Sequence, residues 1–263
     1  MNILDKIIEH KKVEVANAKV KISAAALMQH DLFARKTFSL KQFLLNEKKT
    51  GIIAEFKRQS PSRGIINNKA DVVEVAAAYA KHGASCLSIL TDEYFFGGTA
   101  NDLIRARINN IPILRKDFMI DEYQLLEAKA MGADVILLIA ACLAPQRVKE
   151  LAAFAKQLQL EVLLEIHNED ELQHICNDTE MVGVNNRDLK TFTVDISRSI
   201  ELGKKIPADK IKIAESGIHN VETICIFRRA GFKGFLMGEN FMKQPDPTIA
   251  FADFVKQLNA KEE

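Results

Sequence analysis

Ile52-Ile53-Ala54-Glu55-Phe56-Lys57-Arg58-Gln59-Ser60-Pro61-Ser62-Arg63-Gly64 is the stretch on which the reading of this chain turns. An apolar run ends in a glutamate and a lysine two positions apart, then passes into a basic loop rich in serine, proline and glycine. Residues two apart on a strand share a face, so Glu55 and Lys57 project together from one strand end. Two charges on the inward face of an apolar strand are costly unless the site uses them, and the stretch therefore reads as an active-site strand. An open doubly wound sheet would more often show G-x-G-x-x-G after its first strand. Ser60-Pro61-Ser62 stands there instead, which argues against a dinucleotide fold.

Outward from this strand, apolar runs alternate with helical patterns to the end of the chain. Strands are expected at Ile52–Lys57, Cys86–Thr91, Pro112–Lys116, Asp134–Ala140, Glu161–His167, Met181–Asn185, Ile211–Glu215 and Gly234–Gly238. Most are continuously hydrophobic, the mark of strands covered on both faces in a parallel sheet. Helix caps are read at Asp71, at Thr99-x-x-Asp102, Asp121-x-x-Gln124 and Asn168-x-x-Glu171, and at Asp246-Pro247. Gly83, Gly132 and Gly231 each end a helix before a new strand, at separations of about two and four strand–helix units of ~25 residues. Eight strands in strict alternation predict an α/β protein, a closed (β/α)8 TIM barrel with an N-terminal helical extension. One barrel domain is expected over 1–263, with 1–48 as the extension and 49–263 as eight βα units. In the extension Ile3, Leu4, Ile7 and Ile8 form one helical stripe, and Leu40, Phe43 and Leu44 another. A helical cap over one barrel mouth is the plain reading.

The 263 residues suit one large domain, and 36 basic against 35 acidic side chains leave a formal charge of +1. That balance gives no electrostatic footprint for nucleic acid or an anionic membrane. No secretory segment or bilayer-spanning run is seen, so a cytoplasmic enzyme is expected. Cys86, Cys142, Cys176 and Cys225 lie far apart with no C-x-x-C pairing, and the six histidines show no metal-ligand spacing. Small buried cysteines in a reducing compartment are expected, and no metal. His167 follows a strand and could face the mouth, although a surface or supporting position is the usual fate of a single histidine.

In a (β/α)8 barrel the chemistry collects where strands end. Here strand one ends in Glu55 and Lys57, strand three in Arg115-Lys116-Asp117-Phe118, and strand five in Glu165. Strand six ends in Asn185-Asn186-Arg187-Asp188, strand seven in Glu215-Ser216-Gly217, and strand eight in Gly238-Glu239-Asn240. An ordinary salt bridge explains any one such pair about as well as chemistry does. Three glutamates and two lysines from four strands of one mouth are poorly explained that way. Ser216-Gly217-Ile218 and Met237-Gly238-Glu239-Asn240 put glycines where backbone N–H groups can approach an anion, the common phosphate grip of this architecture. Glu239 is an unexpected charge there, and its side chain is expected to point away.

The chain closely resembles the indole-3-glycerol phosphate synthase family over essentially its whole length. The resemblance rests on Ile53–Ser62, Leu90–Gly98, Leu114–Phe118, Gly183–Leu189 and Ala214–Ile218, in the right order. It implies ring closure of 1-(2-carboxyphenylamino)-1-deoxyribulose 5-phosphate with loss of carbon dioxide and water, by general acid–base catalysis and without a metal or organic cofactor. By similarity, Lys116 is the general acid on the ketone oxygen and Glu165 the general base. Lys57 contacts phosphate and serves as acid for dehydration, while Glu55 and Glu215 position groups and keep the lysines protonated. Asn185, Arg187 and Ser60, with Ser216 beside them, hold the substrate's carboxylate and hydroxyls. Gly217, Gly238 and Glu239 contact phosphate through their backbone, and Phe96, Phe118 and Leu137 form the pocket for the aromatic ring. The Arg58–Gly64 loop is expected to close as a lid. A monomer is expected, with a homodimer as the alternative, and the chain ends soon after its eighth unit, so no fused second barrel is expected.

Two rivals have distinguishing marks. A phosphoribosylanthranilate isomerase-like barrel would carry a cysteine base at the end of strand one, where this chain has Glu55-Phe56-Lys57. A non-catalytic barrel that binds phosphorylated ligands would need the glycine turns but not Lys57, Lys116 and Glu165 together.

Overall fold

The continuous apolar runs become the staves of a closed barrel. In the computed structural model, which describes residues 3–187 and 193–261, eight parallel strands follow one another around it. They are β1 (Ile52–Phe56), β2 (Cys86–Leu90), β3 (Ile113–Lys116), β4 (Val135–Ile139), β5 (Glu161–Ile166), β6 (Met181–Asn185), β7 (Ile211–Glu215) and β8 (Phe232–Met237). β8 pairs back onto β1, Ile52 opposite Phe235 and Ala54 opposite Met237, and closes the ring. This is the (β/α)8 fold. Strand alternation divides the core in two. Ile53, Leu114, Leu137 and Leu163 pack inside the barrel. Ile52, Ala54, Phe56 and Ile136 pack outward beneath the helices.

The eighth strand starts at Phe232, two residues before the expected start. Its pairing with β7 shifts register between Phe232 and Gly234. A turn-like Gly231-Phe232-Lys233 hides the strand in the sequence, but Phe232 is buried and stacks edge-on to Phe227 with ring centroids 4.9 Å apart. Gly234 is needed where it sits, since a Cβ there would lie 2.7 Å from Ile213 Cγ1.

The helix signals act through their expected atoms. Asp71 caps α4 (Val72–Lys81), Thr99 and Asp102 form a reciprocal box on α6 (Ala100–Ala106), and Asp121 and Gln124 another on α7 (Glu122–Met131). Asp246 caps α12 (Pro247–Ala260). Asn168 caps a six-residue 3-10 helix, Glu169–His174, and not an α-helix. Glu171, the back-bonding partner, also accepts the His167 backbone N–H at 2.7 Å, which draws the turn against the end of β5.

The N-terminal extension serves both ends of the barrel and does not simply cover one mouth. α1 (Ile3–Lys21) crosses the mouth where the strands end, with Ile3, Leu4 and Ile7 on the cavity. Its Lys11 is fully buried, 2.9 Å from Asp117 and 3.0 Å from Asp92 in the loops after β3 and β2. The chain then descends along α7, where Val15 and, on α2 (Ala24–Met28), Leu27 pack with Tyr123, Leu126 and Ala130. Tyr123 donates to the carbonyls of Ala18 and Ile22. At the floor Arg35 and the Phe38 N–H both reach Asp134, and Ser39 donates to Glu161. Leu40 and Leu44 of α3 (Leu40–Leu44) plug the interior against Ile53, Cys86 and Val135.

All four cysteines are free. Only Cys86 is fully buried, inside the barrel; Cys142, Cys176 and Cys225 are half-buried, a correction to the expectation for them.

Candidate active site

Period-two alternation puts Glu55 of β1 and Lys57 just beyond it, Lys116 of β3, Glu165 of β5 and His167 just beyond it, Asn185 of β6 and Glu215 of β7 into one mouth. All seven line a single cavity of about 520 Å³. Glu55, Glu165 and Glu215 are buried.

The charges are arranged as two pairs. Glu55 Oε1 lies 2.7 Å from Lys57 Nζ, and Glu165 Oε2 lies 3.5 Å from Lys116 Nζ. Asn185 Nδ2 donates to Glu165 Oε1 at 2.9 Å, and His167 Nε2 stands 3.1 Å from the same oxygen. Burial works against the Lys116 ammonium, but the charges of Glu165, Glu215 and Glu55 together outweigh it and hold its pKa above the ordinary lysine range. Burial likewise pushes the Glu165 carboxyl up, and Lys116, His167 and Asn185 more than reverse this, leaving it well below the usual carboxylate range. Glu215 goes the other way. Burial, then the nearby Glu165 charge, raise it well above the ordinary glutamate value. Glu165, Glu215 and Glu55 all favour the charged form of Lys116, Glu165 most.

Two glycines make room for this chemistry. A Cβ on Gly183 would fall 1.9 Å from Glu215 Oε1, and one on Gly238 would fall 2.7 Å from Glu55 Cβ. The carboxylates occupy space that only an absent side chain leaves open.

The rim of the cavity includes the expected phosphate turns. Ser216 and Gly217 follow β7 with φ of +66° and +67°, and Asn186 Nδ2 donates to the Ser216 carbonyl at 2.6 Å. Gly238 and Glu239 open a short helical turn, α11 (Glu239–Met242). Glu239 does not turn away from the cavity, as expected, but lines it. Its carboxylate lies 3.3 Å from Arg63 Nε and 3.7 Å from Arg187 Nη2, so two guanidinium groups offset the charge beside the turn. Arg187 is steadied in turn by its N–H donating to Asn185 Oδ1. Ser60 is on the wall, in a two-stranded ribbon that pairs Gln59 with Ile65 and Ser60 with Gly64. The base of this ribbon is pinned by Arg58, bidentate to Asp102 at 2.6 and 2.8 Å. Asp188 and Leu189 of the strand-six motif lie outside the described residues. The apolar wall is Phe96 and Phe118, ring centroids 5.9 Å apart, with Leu137, Leu90 and the α1 residues Ile3, Leu4 and Ile7.

A model of the indole-3-glycerol phosphate synthase family matches residues 4–254. The chain belongs to that family. Curated indole-3-glycerol phosphate synthases similar to it include that of Bacteroides thetaiotaomicron, 46% identical over 98% of this chain and 99% of that one. Those of Polaromonas sp., 42% identical over 95% and 97%, and Bordetella pertussis, 41% identical over 97% and 99%, are also similar. Among solved structures, KGPDC from Streptococcus mutans superposes with a TM-score of 0.61 at 12% identity, covering 81% of this chain and 98% of that one. A tryptophan synthase complex from Pyrococcus furiosus gives 0.60 at 15%, covering 81% and 99%. At such identities these two share the barrel alone.

For this member of the indole-3-glycerol phosphate synthase family, residue patterns miss the anchor of α1 at Lys11 and undervalue His167, which they allow to face the mouth but give a surface or supporting position. Lys11 reads as one more lysine on a polar helix, and nothing in its spacing announces two buried aspartates. His167 had a legible signal: it stands two residues after Glu165 and so shares its face.

Proposed function

We propose that this chain is a carboxy-lyase that closes the pyrrole ring of indole-3-glycerol phosphate from 1-(2-carboxyphenylamino)-1-deoxyribulose 5-phosphate. One observation carries the reading: an ammonium and a carboxylate of opposed titration, Lys116 and Glu165, line the same cavity as Lys57 and the glycine turns. The aromatic carbon bearing the carboxylate attacks the ketone carbon, and Lys116 gives its proton to the ketone oxygen as negative charge develops there. The C–CO2 bond then breaks and its electron pair restores the aromatic ring. Lys57 protonates the resulting hydroxyl, which leaves as water, and Glu165 takes the proton from the ring methylene beside the nitrogen, so that the pyrrole double bond forms. The balance is one carbon dioxide and one water released and one proton consumed. Glu55 holds Lys57, and Asn185 holds Glu165.

The phosphate, gripped by Lys57 and the N–H groups at Gly217, Gly238 and Glu239, is remote from the reacting carbons. Its binding energy folds an open-chain ketose toward the ring stacked on Phe96, Phe118 and Leu137; such positioning is worth ~7–11 kcal/mol in favourable cases. Arg187, Ser60 and Ser216 hold the carboxylate and hydroxyls. The Arg58–Gly64 ribbon acts as a lid that brings Lys57 to its place. Catalysis is cytoplasmic and monomeric in this reading.

Incubation with the carboxyanilino ketose phosphate, followed by indole fluorescence, tests it. Product is expected from the native chain. Lys116→Ala is expected to lose it by about 10²–10⁴-fold or more while phosphate-bearing ligands bind with similar affinity. Near-normal turnover in that variant would overturn the assignment, and ligand binding without turnover in the native chain would favour a silent binder.

A further inference from the structure

An ammonium and a carboxylate 3.5 Å apart in a buried site can fail in a simple way. Removed from water, they discharge each other by moving one proton, and the amine left behind has nothing to give a ketone oxygen. The geometry behind Glu165 bears on this. His167 is 93% buried, with Nε2 3.1 Å from Glu165 Oε1 and Nδ1 3.2 Å from Glu171 Oε2. Glu171 is itself fixed: Oε2 accepts the His167 backbone N–H at 2.7 Å, and Oε1 accepts Asn168 Nδ2 at 2.9 Å. Nδ1 hydrogen-bonds Glu171, while Nε2 is close to Glu165 Oε1 but out of hydrogen-bond alignment with it; the two carboxylates, one on each side, favour the doubly protonated ring.

We propose that His167 is a standing imidazolium, clamped by Glu171, that keeps Glu165 ionised and so keeps the transferable proton on Lys116. It is a positioning residue for the acid–base pair, and the inference rests on reading Lys116 as acid and Glu165 as base. When Lys116 has given its proton away, the imidazolium still faces Glu165 and holds it in register for the later proton removal.

The surrounding groups agree with the direction. Glu165 is faced by Lys116 from β3, Asn185 from β6, Glu215 from β7 and the Cys142 thiol after β4. Burial works against charge on His167, but Glu165 and Glu171 outweigh it and push its pKa up to about 10. Loss of this cation raises the Glu165 carboxyl toward the usual range.

The test is the pH profile of turnover for His167→Gln and Glu171→Gln beside the native chain. For His167→Gln the acid limb of kcat should move up by about 1–3 pH units, with activity largely regained at higher pH and KM little changed. For Glu171→Gln the histidine loses its second anchor but is still charged at acid pH, so the acid limb should move the same way by less than in His167→Gln. A uniform loss at every pH, or no change, would show a merely structural residue and overturn the proposal. Glu165→Gln separates the layers: if it is inactive while His167→Gln is normal, the base reading stands and this inference falls. An active Glu165→Gln removes the base reading itself. Should the His167 variant not fold, NMR of the native imidazole decides: the ring should stay doubly protonated above about pH 8, and a neutral ring there would overturn the proposal.

Discussion

Glu165 is held below the usual carboxylate range and Glu215 is raised well above it, although they line the same cavity. Such divergence separates acceptor from donor in an acid–base site. It also makes a stability prediction. The folded pKa of Glu215 is raised, so its contribution is fully present below the unfolded value and is lost as pH rises toward the folded one. Glu215 Oε1, buried and without a hydrogen-bond partner among the described residues, adds to the cost of ionising it. Glu215→Gln, a neutral near-isostere, should therefore gain thermal stability on the native chain as pH rises from about 5 to about 8, with the smallest difference at the acid end. Parallel melting curves for both proteins at every pH would count against a protonated Glu215. Gly183→Ala should displace the same carboxyl and cost about 1–3 kcal/mol, measured by urea unfolding.

Among the elements, α1 is the one whose attachment is most concentrated. Lys11 joins it to Asp92 and Asp117, and Asp117 also accepts from Thr91 at 2.6 Å and pairs with Arg115 at 3.2 Å. Burial pushes the Asp117 carboxyl up, but Lys11 and Arg115 prevail and bring it down to about 2. Its stabilising contribution is complete above the unfolded aspartate value and is lost as pH falls through about 2. Lys11→Met leaves buried Asp92 without its cation and Asp117 with Arg115 alone, and should cost about 3–5 kcal/mol. Because Ile3, Leu4 and Ile7 of α1 line the cavity, KM should rise more than kcat falls. An unchanged KM would detach α1 from substrate binding. For the Gln59–Ile65 ribbon, Pro61→Gly should lower turnover and speed hydrogen exchange over residues 59–65. If neither moved, the ribbon would not be a lid.

Across the whole molecule, what sequence made legible follows from how locally each signal is written. Seven strand starts fall within one residue of expectation, because buried parallel strands are continuous apolar runs with sharp edges. The first two residues of β8 escaped because they follow a helix-ending glycine and include an exposed lysine, Lys233. Strand ends led to Lys57, Lys116, Glu165 and Glu215, since the fold fixes which end is the mouth. The titration of Glu215 and the partners of Lys11 and His167 depend on distances between elements far apart in the chain, which no local pattern encodes. The same holds for the extension. A helical stripe tells that a face is covered, not what covers it, and so one expected cap proved to be a mouth segment and a floor plug.

That division of the first fifty residues bears on any attempt to pare the enzyme to a minimal scaffold. Trimming the leader back to β1 would uncork both poles at once, so loss of activity in such a deletion could not be attributed to the catalytic pole alone. Cutting only ahead of Ser23 would spare the lower stopper and isolate the upper contribution.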